Sequence, residues 1–129
     1  MNNSLKLVSQ ALETVIASVV HDESVLQQFF SHDYQQYVDD KVLNFHQFVS
    51  HMQTLKQHSL QRQLRIIACA AAQQTVFTRH RVAVTHDDGQ VSEFEVMAQF
   101  ELRDGKICRC HELTRQIFGP EQHRDLGSR

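Results

Sequence analysis

The hydrophobic period of this chain changes once, near Leu64, and that change restricts the fold more than any other feature of the sequence. Before it, apolar residues recur at three- and four-residue spacings. Leu5, Val8, Leu12, Val15, Ile16 and Val19 form one stripe, which predicts a helix over residues 4–20. Val25, Leu26, Phe29 and Phe30 predict a short second helix over residues 23–30. A polar-aromatic segment, residues 33–40, follows. Asn44 then reads as an N-cap with Gln47 as its capping-box partner. Phe45, Phe48, Val49, Met52 and Leu55 carry a third helix over residues 45–57. Beyond Leu64 the period is two, which predicts strands over residues 64–73, 75–86, 91–103 and 106–118. Turn signals separate them at Gln73-Gln74, Asp87-Asp88-Gly89 and Asp104-Gly105. Gly119-Pro120 stops the last strand, because proline cannot donate to a ladder. Residues 120–129 read as a polar tail that is mobile unless it docks. Helices followed by a long antiparallel sheet make an α+β domain. A curved sheet closed by helices on one side leaves a cone, a shape that holds ligands.

Length and charge exclude several classes. At 129 residues the chain is read as one domain. Hydrophobic residues at 41% and charged residues at 22% argue against wholesale disorder. Thirteen Lys and Arg against fifteen Asp and Glu give a net charge of -2, so no basic field is available for nucleic acid. The longest apolar run, residues 66–72, is far short of the ~20 residues that cross a bilayer. Met1-Asn2-Asn3-Ser4 has neither the basic nor the apolar region of a signal peptide. Cys69, Cys108 and Cys110 do not make a disulfide framework. A cytoplasmic location is the expectation.

Alternation assigns the strand residues to two faces. Val76, Thr78, His80, Val82, Val84, Phe94, Val96, Ala98, Phe100, Leu102, Cys108, Cys110, Glu112, Thr114 and Phe118 form an apolar, small and nearly uncharged set, expected to face the helices. Arg79, Arg81, Glu93, Glu95, Met97, Gln99, Arg109, His111, Leu113 and Arg115 form the opposite set, expected to face water or a second subunit. Keeping Val84 beside Phe94 requires a three-residue loop or a bulge at 88–90.

Four pieces taken in order carry a resemblance: Tyr34-Gln35-Gln36-Tyr37-Val38-Asp39-Asp40-Lys41-Val42-Leu43, Phe48-Val49-Ser50-His51-Met52, Asp104-Gly105-Lys106-Ile107 and Glu112-Leu113-Thr114-Arg115. Over nearly its whole length the chain resembles the nuclear transport factor two-like superfamily, in its SnoaL-like branch. The resemblance implies a cystatin-like α/β roll, with three N-terminal helices on the concave face of a curved antiparallel sheet. The superfamily includes ketosteroid isomerase, scytalone dehydratase, polyketide cyclases and limonene epoxide hydrolase. It therefore implies proton transfer on a small apolar ligand, with no metal or cofactor. It also implies a homodimer through the outer sheet face, where Met97 and Leu113 lie among paired arginines and glutamates. Asp39 lies near where the isomerase base would fall. The isomerase's Tyr and neutral Asp have no counterpart, since the first helix offers Val, Ile, Ala and Ser and the third strand Val96 or Ala98. SnoaL-type cyclases place an Asp on the last strands, and the nearest carboxylate here is Glu112.

Catalytic candidates are thus Glu112, His80 and Asp39. Glu112 lies between Cys110 and Thr114 on the apolar face, where burial would raise its pKa and suit it to general acid–base work. A structural ion pair or hydrogen-bond anchor is the alternative. His80, placed opposite Ala98, could share the proton with Glu112 or be a satisfied core histidine. Asp39 could be a base, or serve turn chemistry with Asp40 and Lys41. Ligand-binding candidates are Tyr34, His51, Phe100, Cys110 and Thr114. No Cys or His spacing suits a metal. Three functions remain open: an acid–base enzyme, a non-catalytic binder of a small hydrophobic molecule, and an interaction domain whose cone is packed solid by Phe30, Phe48 and Phe100.

Overall fold

The computed structural model describes residues 3–124 and 126. Expectations for residues 1–2, 125 and 127–129 lie outside the described residues. The first helix, α1 (Asn3–Leu12), buries Val8, Ala11 and Leu12. It continues as one wider π-type turn at Glu13–Ala17, where the β-branched run Thr14-Val15-Ile16 loosens the α spacing. The chain turns extended at Ser18, so Val19 and Val20, expected at the end of the helix, are exposed. Buried Arg62 takes up the carbonyls freed there, donating from Nε to Ile16 O at 2.8 Å and from Nη2 to Ser18 O at 2.9 Å. Helix α2 (Glu23–Phe29) is capped by Asp22, whose side chain accepts from Ser24 N. Helix α3 (Phe45–Gln57) carries the expected capping box: Gln47 N–H donates to Asn44 Oδ1 and Asn44 N–H to Gln47 Oε1, both at 2.9 Å.

A curved six-stranded sheet follows the order β2 (Lys41–Asn44), β1 (Phe30–Val38), β6 (Lys106–Phe118), β5 (Val91–Arg103), β4 (Thr75–His86), β3 (Ser59–Ala72). Strands β4 (Thr75–His86), β5 (Val91–Arg103) and β6 (Lys106–Phe118) span the expected residues, and β3 (Ser59–Ala72) starts earlier than expected. Two strands were not expected: β1 (Phe30–Val38) and β2 (Lys41–Asn44) form a hairpin within the polar-aromatic segment. Strand β1 pairs with β6 in parallel, so the sheet is mixed rather than purely antiparallel. Alternation in β1 turns Tyr34, Gln36 and Val38 inward and leaves Gln35 exposed.

The β4–β5 loop is Asp87-Asp88-Gly89: Gly89 N–H donates to His86 O, and His86 N–H to Gln90 O. It sets Val84 opposite Ser92 and Val82 opposite Phe94. The β5–β6 hairpin turns on Asp104 and Gly105, with φ of 53° and 77°, the two left-handed positions of a type I′ turn. A bulge after Glu101 then pairs Leu102 with Ile107 and Glu101 with Arg109. That extra residue corrects the expected face of Cys108. Ile107 takes the core position instead, fully buried, and Cys108 is half-buried with its thiol 3.4 Å from Glu101 O. A second shift, at Glu93, turns Phe118 outward, where it is exposed. On the outer face Glu95 accepts from Arg79 and Arg81, and Glu101 pairs with Arg109, so these arginines sit in cross-strand ion pairs.

Phe30, Tyr34 and Phe48 pack as an aromatic cluster, with ring centroids 4.7–5.1 Å apart. Around them Val8, Leu26, Val96, Phe100, Ile107 and Cys110 complete the core between the helices and the concave sheet.

Candidate functional site

The core does not fill the cone. A cavity of about 110 Å³ lies between α1, α3 and the sheet. Leu12, Val15, Phe30, Phe48, Met52, Val82, Val96 and Phe100 give it apolar walls. Six polar side chains reach it: Tyr34 and Gln36 from β1, His51 from α3, His80 from β4, and Glu112 and Thr114 from β6. No lysine or arginine among the described residues lines it.

Sheet register places these groups in rows. Val38, Glu112, Ala98 and Thr78 stand on one row, and Thr114, Val96 and His80 on the next. His80 sits opposite Val96, one row from its expected place beside Ala98. Two strand spacings, about 10 Å, separate β4 from β6, and no hydrogen bond joins His80 to Glu112. Their expected pairing is replaced by separate partners.

The Glu112 carboxylate accepts from Thr114 Oγ1 at 2.9 Å, and its other oxygen lies 3.7 Å from the Cys110 thiol. Burial pushes its pKa up to about 7, against the lowering effect of both donors, and the charge of Asp39 adds to the rise. No cation offsets that burial among the described residues. His80 is 3% exposed, with Nδ1 2.9 Å from Thr78 Oγ1. Burial lowers its pKa to about 4, so the ring is neutral at pH 7. Which nitrogen carries the proton follows from whether the Thr78 hydroxyl donates or accepts. Tyr34 donates to Gln36 Oε1 at 2.8 Å, and burial first, then the neighbouring Cys110 and Glu112, holds its phenol well above the usual range. Burial also pushes the Cys110 thiol up, which makes it a poor nucleophile.

The structure thus brings Glu112, His80, Tyr34, His51, Phe100 and Thr114 to one cavity. Cys110 stands behind the wall, touching Glu112 rather than the space in front of it. Asp39, expected as a base, is outside. It occupies the β1–β2 turn at φ 55°, its backbone N–H donates to Glu112 O, and its carboxylate accepts from Thr114 N–H at 3.0 Å. Its charge serves the edge of β6 beyond the end of β1. Gln36 is the cavity residue that sequence reasoning missed. It is buried, its carbonyl is fixed by Tyr34, and its amide nitrogen has no protein partner among the described residues. The signal was the alternation Tyr34, Gln36, Val38, which a strand assignment for 33–40 would have exposed. Among the described residues no group of three or more His, Cys, Asp or Glu could hold a metal. No described helix is long and apolar enough to cross a membrane.

Residues 12–110 match the SnoaL-like domain. The chain belongs to the SnoaL-like family. An uncharacterized protein of Schizosaccharomyces pombe is 29% identical over 107 residues, covering 83% of this chain and 82% of its own. AclR from Streptomyces galilaeus, provisionally assigned as a hydroxylase, has a TM-score of 0.74 at 18% identity, over 87% of this chain and 78% of AclR. IdmH from Streptomyces antibioticus, provisionally assigned as a polyketide cyclase, has a TM-score of 0.74 at 13% identity, over 88% of this chain and 92% of IdmH. At such identities the likeness shows the fold, that of the nuclear transport factor two-like superfamily, and leaves activity to the site. The matched stretch of the SnoaL-like domain includes Tyr34, Gln36, His51 and His80 and ends before Glu112 and Thr114.

Proposed function

We propose that this SnoaL-like domain is an acid–base enzyme of the isomerase or lyase kind, moving a proton on a small, uncharged, mostly apolar molecule held in the cone. The observation that carries the reading is the Glu112 carboxyl. It sits in the wall of an apolar cavity, touches two neutral donors, and has its pKa pushed up to about 7. A group with that pKa exists in both protonation states at neutral pH, so it can accept a proton and return it. Gln36 presents its amide hydrogens to a ligand oxygen, with Tyr34 holding the other end of the amide. A donor in that place stabilises negative charge on a carbonyl oxygen as a neighbouring carbon loses its proton. His80 contributes a neutral ring at the opposite side. Thr114 and Cys110 position Glu112, while His51 and Phe100 face the ligand. The absence of a lining Lys or Arg among the described residues favours a neutral ligand, because a buried anion would lack a partner.

The test is hydrogen exchange from D2O into the α-carbon of small cyclic ketones, followed by NMR. Glu112→Gln is expected to slow protein-dependent exchange by about 10²–10⁴-fold while ketone affinity stays. Equal rates in both proteins refute the reading. The apolar cavity alone also suits a non-catalytic binder, which would bind the ketones and leave their exchange rate unchanged. The space left beside Phe30, Phe48 and Phe100 supports a ligand role over an interaction domain whose cone is packed solid.

The outer sheet face supports a second copy of the chain as partner. Phe77, Met97 and Leu113 are exposed there, flanked by the Arg79/Arg81–Glu95 and Arg109–Glu101 pairs. An apolar centre with a charged rim suits a two-fold interface.

A further inference from the structure

We propose that Leu126 sets the size of molecule the cone accepts, held as one wall of the cavity by a latch of His86, Ser92 and His123. The proposal rests on the reading that the cavity takes a ligand. Three features of the C-terminal segment carry it.

The first is its route. Strand β6 ends at Phe118, and Gly119 turns the chain back across β5 at φ 117°. A Cβ at Gly119 would lie 2.8 Å from Ser92 Cα and from Val91 O, so only glycine permits this approach. The Gln116 side-chain amide donates to Phe118 O at 3.1 Å and to Pro120 O at 2.9 Å, which fixes the turn. A 3-10 turn, Glu121–His123, follows, and Leu126 N–H donates to His123 O.

The second is the latch. Ser92 Oγ is 2.8 Å from His123 Nδ1 and 3.0 Å from His86 Nε2, and the two rings stack with centroids 3.7 Å apart. Ser92 is fully buried and both histidines nearly so. The single hydroxyl hydrogen can serve one imidazole while the oxygen accepts from the other. One side chain thereby ties the segment to the β4 end and the β5 start together.

The third is where Leu126 ends up. It packs against Val82, Val84 and Phe94, beside Ile16, Leu55 and Leu64. With His51 and Leu55 it lines both the inner cavity of about 110 Å³ and an outer groove of about 980 Å³. That groove runs along the polar face of α3, past His46, Ser50, Thr54 and His58, to the β4–β5 loop. Leu126 therefore belongs to the partition between the two spaces. With the partition in place the cavity is smaller than the roughly 150 Å³ that accommodates benzene. Without the Leu126 side chain beyond Cβ, a longer molecule can extend from the apolar cone into the groove.

The experiment measures the affinity of cyclic ketones from five to twelve carbons directly, by isothermal titration calorimetry. In the wild-type protein affinity is expected to rise about fourfold per methylene while the ring fits, then to fall at a cut-off. In Leu126→Ala the cut-off moves to larger rings, and His123→Ala, which breaks the latch, moves it in the same direction. Leu60→Ala, on the exposed side of β3, leaves it in place. Circular dichroism checks that each variant is folded. An identical cut-off in wild type, Leu126→Ala and His123→Ala overturns the size role and leaves the pocket standing. Binding of no ring by any of the folded proteins overturns the ligand reading itself, and the size role with it.

Discussion

Replacing Glu112 with glutamine should change how stability depends on pH, and the change has a definite sign. The Glu112 carboxyl rises from 4.5 to about 7 on folding. Its contribution is fully present below pH 4.5, where both states are protonated, and is lost as pH rises toward 7. The loss is about 3 kcal/mol, at about 1.4 kcal/mol per pH unit. His80 works in the opposite direction. Its pKa falls from 6.5 to about 4 on folding, so acid favours the unfolded chain, and stability is lost as pH drops from 6.5 to 4. That effect is also about 3 kcal/mol. The two windows overlap, and in the wild-type protein the two slopes nearly cancel. Glu112→Gln uncovers the His80 slope, giving stability that climbs by about 3 kcal/mol between pH 4 and 6.5. His80→Gln uncovers the Glu112 slope, giving stability that falls by a similar amount between pH 4.5 and 7. Urea unfolding followed by circular dichroism suits the measurement, since the chain has no tryptophan. All other titrating groups contribute alike to the three proteins, so the difference curves isolate these two side chains. Difference curves flat to within about 0.5 kcal/mol from pH 4.5 to 7.5 would refute the burial argument, because unperturbed groups contribute no such slope.

Three other outcomes follow from the packing. Gly119→Ala should cost more than 1 kcal/mol, because it adds left-handed strain to a collision with the Ser92 backbone; a thermal melt matching wild type would contradict the close approach. Asn44→Ala should cost about 1 kcal/mol through loss of the capping box on α3, read as a shift in the urea midpoint. Leu113→Asp, at a side chain 68% exposed, should leave stability nearly unchanged yet convert a dimer to monomer in light scattering. An unchanged mass for the variant would remove the outer sheet face as the interface.

Much of the fold was legible because burial follows period. The stripe Val8, Leu12, Val15 and the alternation of β4 and β5 each bury one face, so spacing alone located them. The hairpin β1–β2 was hidden because its inward positions include Gln36 and its outward ones Tyr37, which blurs the alternation. Recognising that strand would have placed Gln36 beside Tyr34 in the cone. Register errors had a different origin. A single extra residue at the Glu101 bulge swaps Cys108 for Ile107, and nothing in the local composition marks it. His80 was displaced by one row through the β4–β5 loop instead, which pairs Val82 with Phe94 and His80 with Val96. Glu112 was recognisable as an acid among apolar neighbours, because the alternation of β6 turns it toward the cone. Asp39 looked like a second acid in sequence, yet its left-handed turn spends its carboxylate on the Thr114 backbone. The docking of Leu126 was not legible, since it depends on a contact between Gly119 and Ser92 that only the folded sheet creates.

The most direct test of the acid–base account is the titration of Glu112 itself, followed through the carbon-13 signal of its side-chain carboxyl and assigned by its loss in Glu112→Gln. The account predicts a midpoint at about 7, displaced when the cone is saturated with a small cyclic ketone. A midpoint in the ordinary carboxylate range, unmoved by ligand, would contradict it.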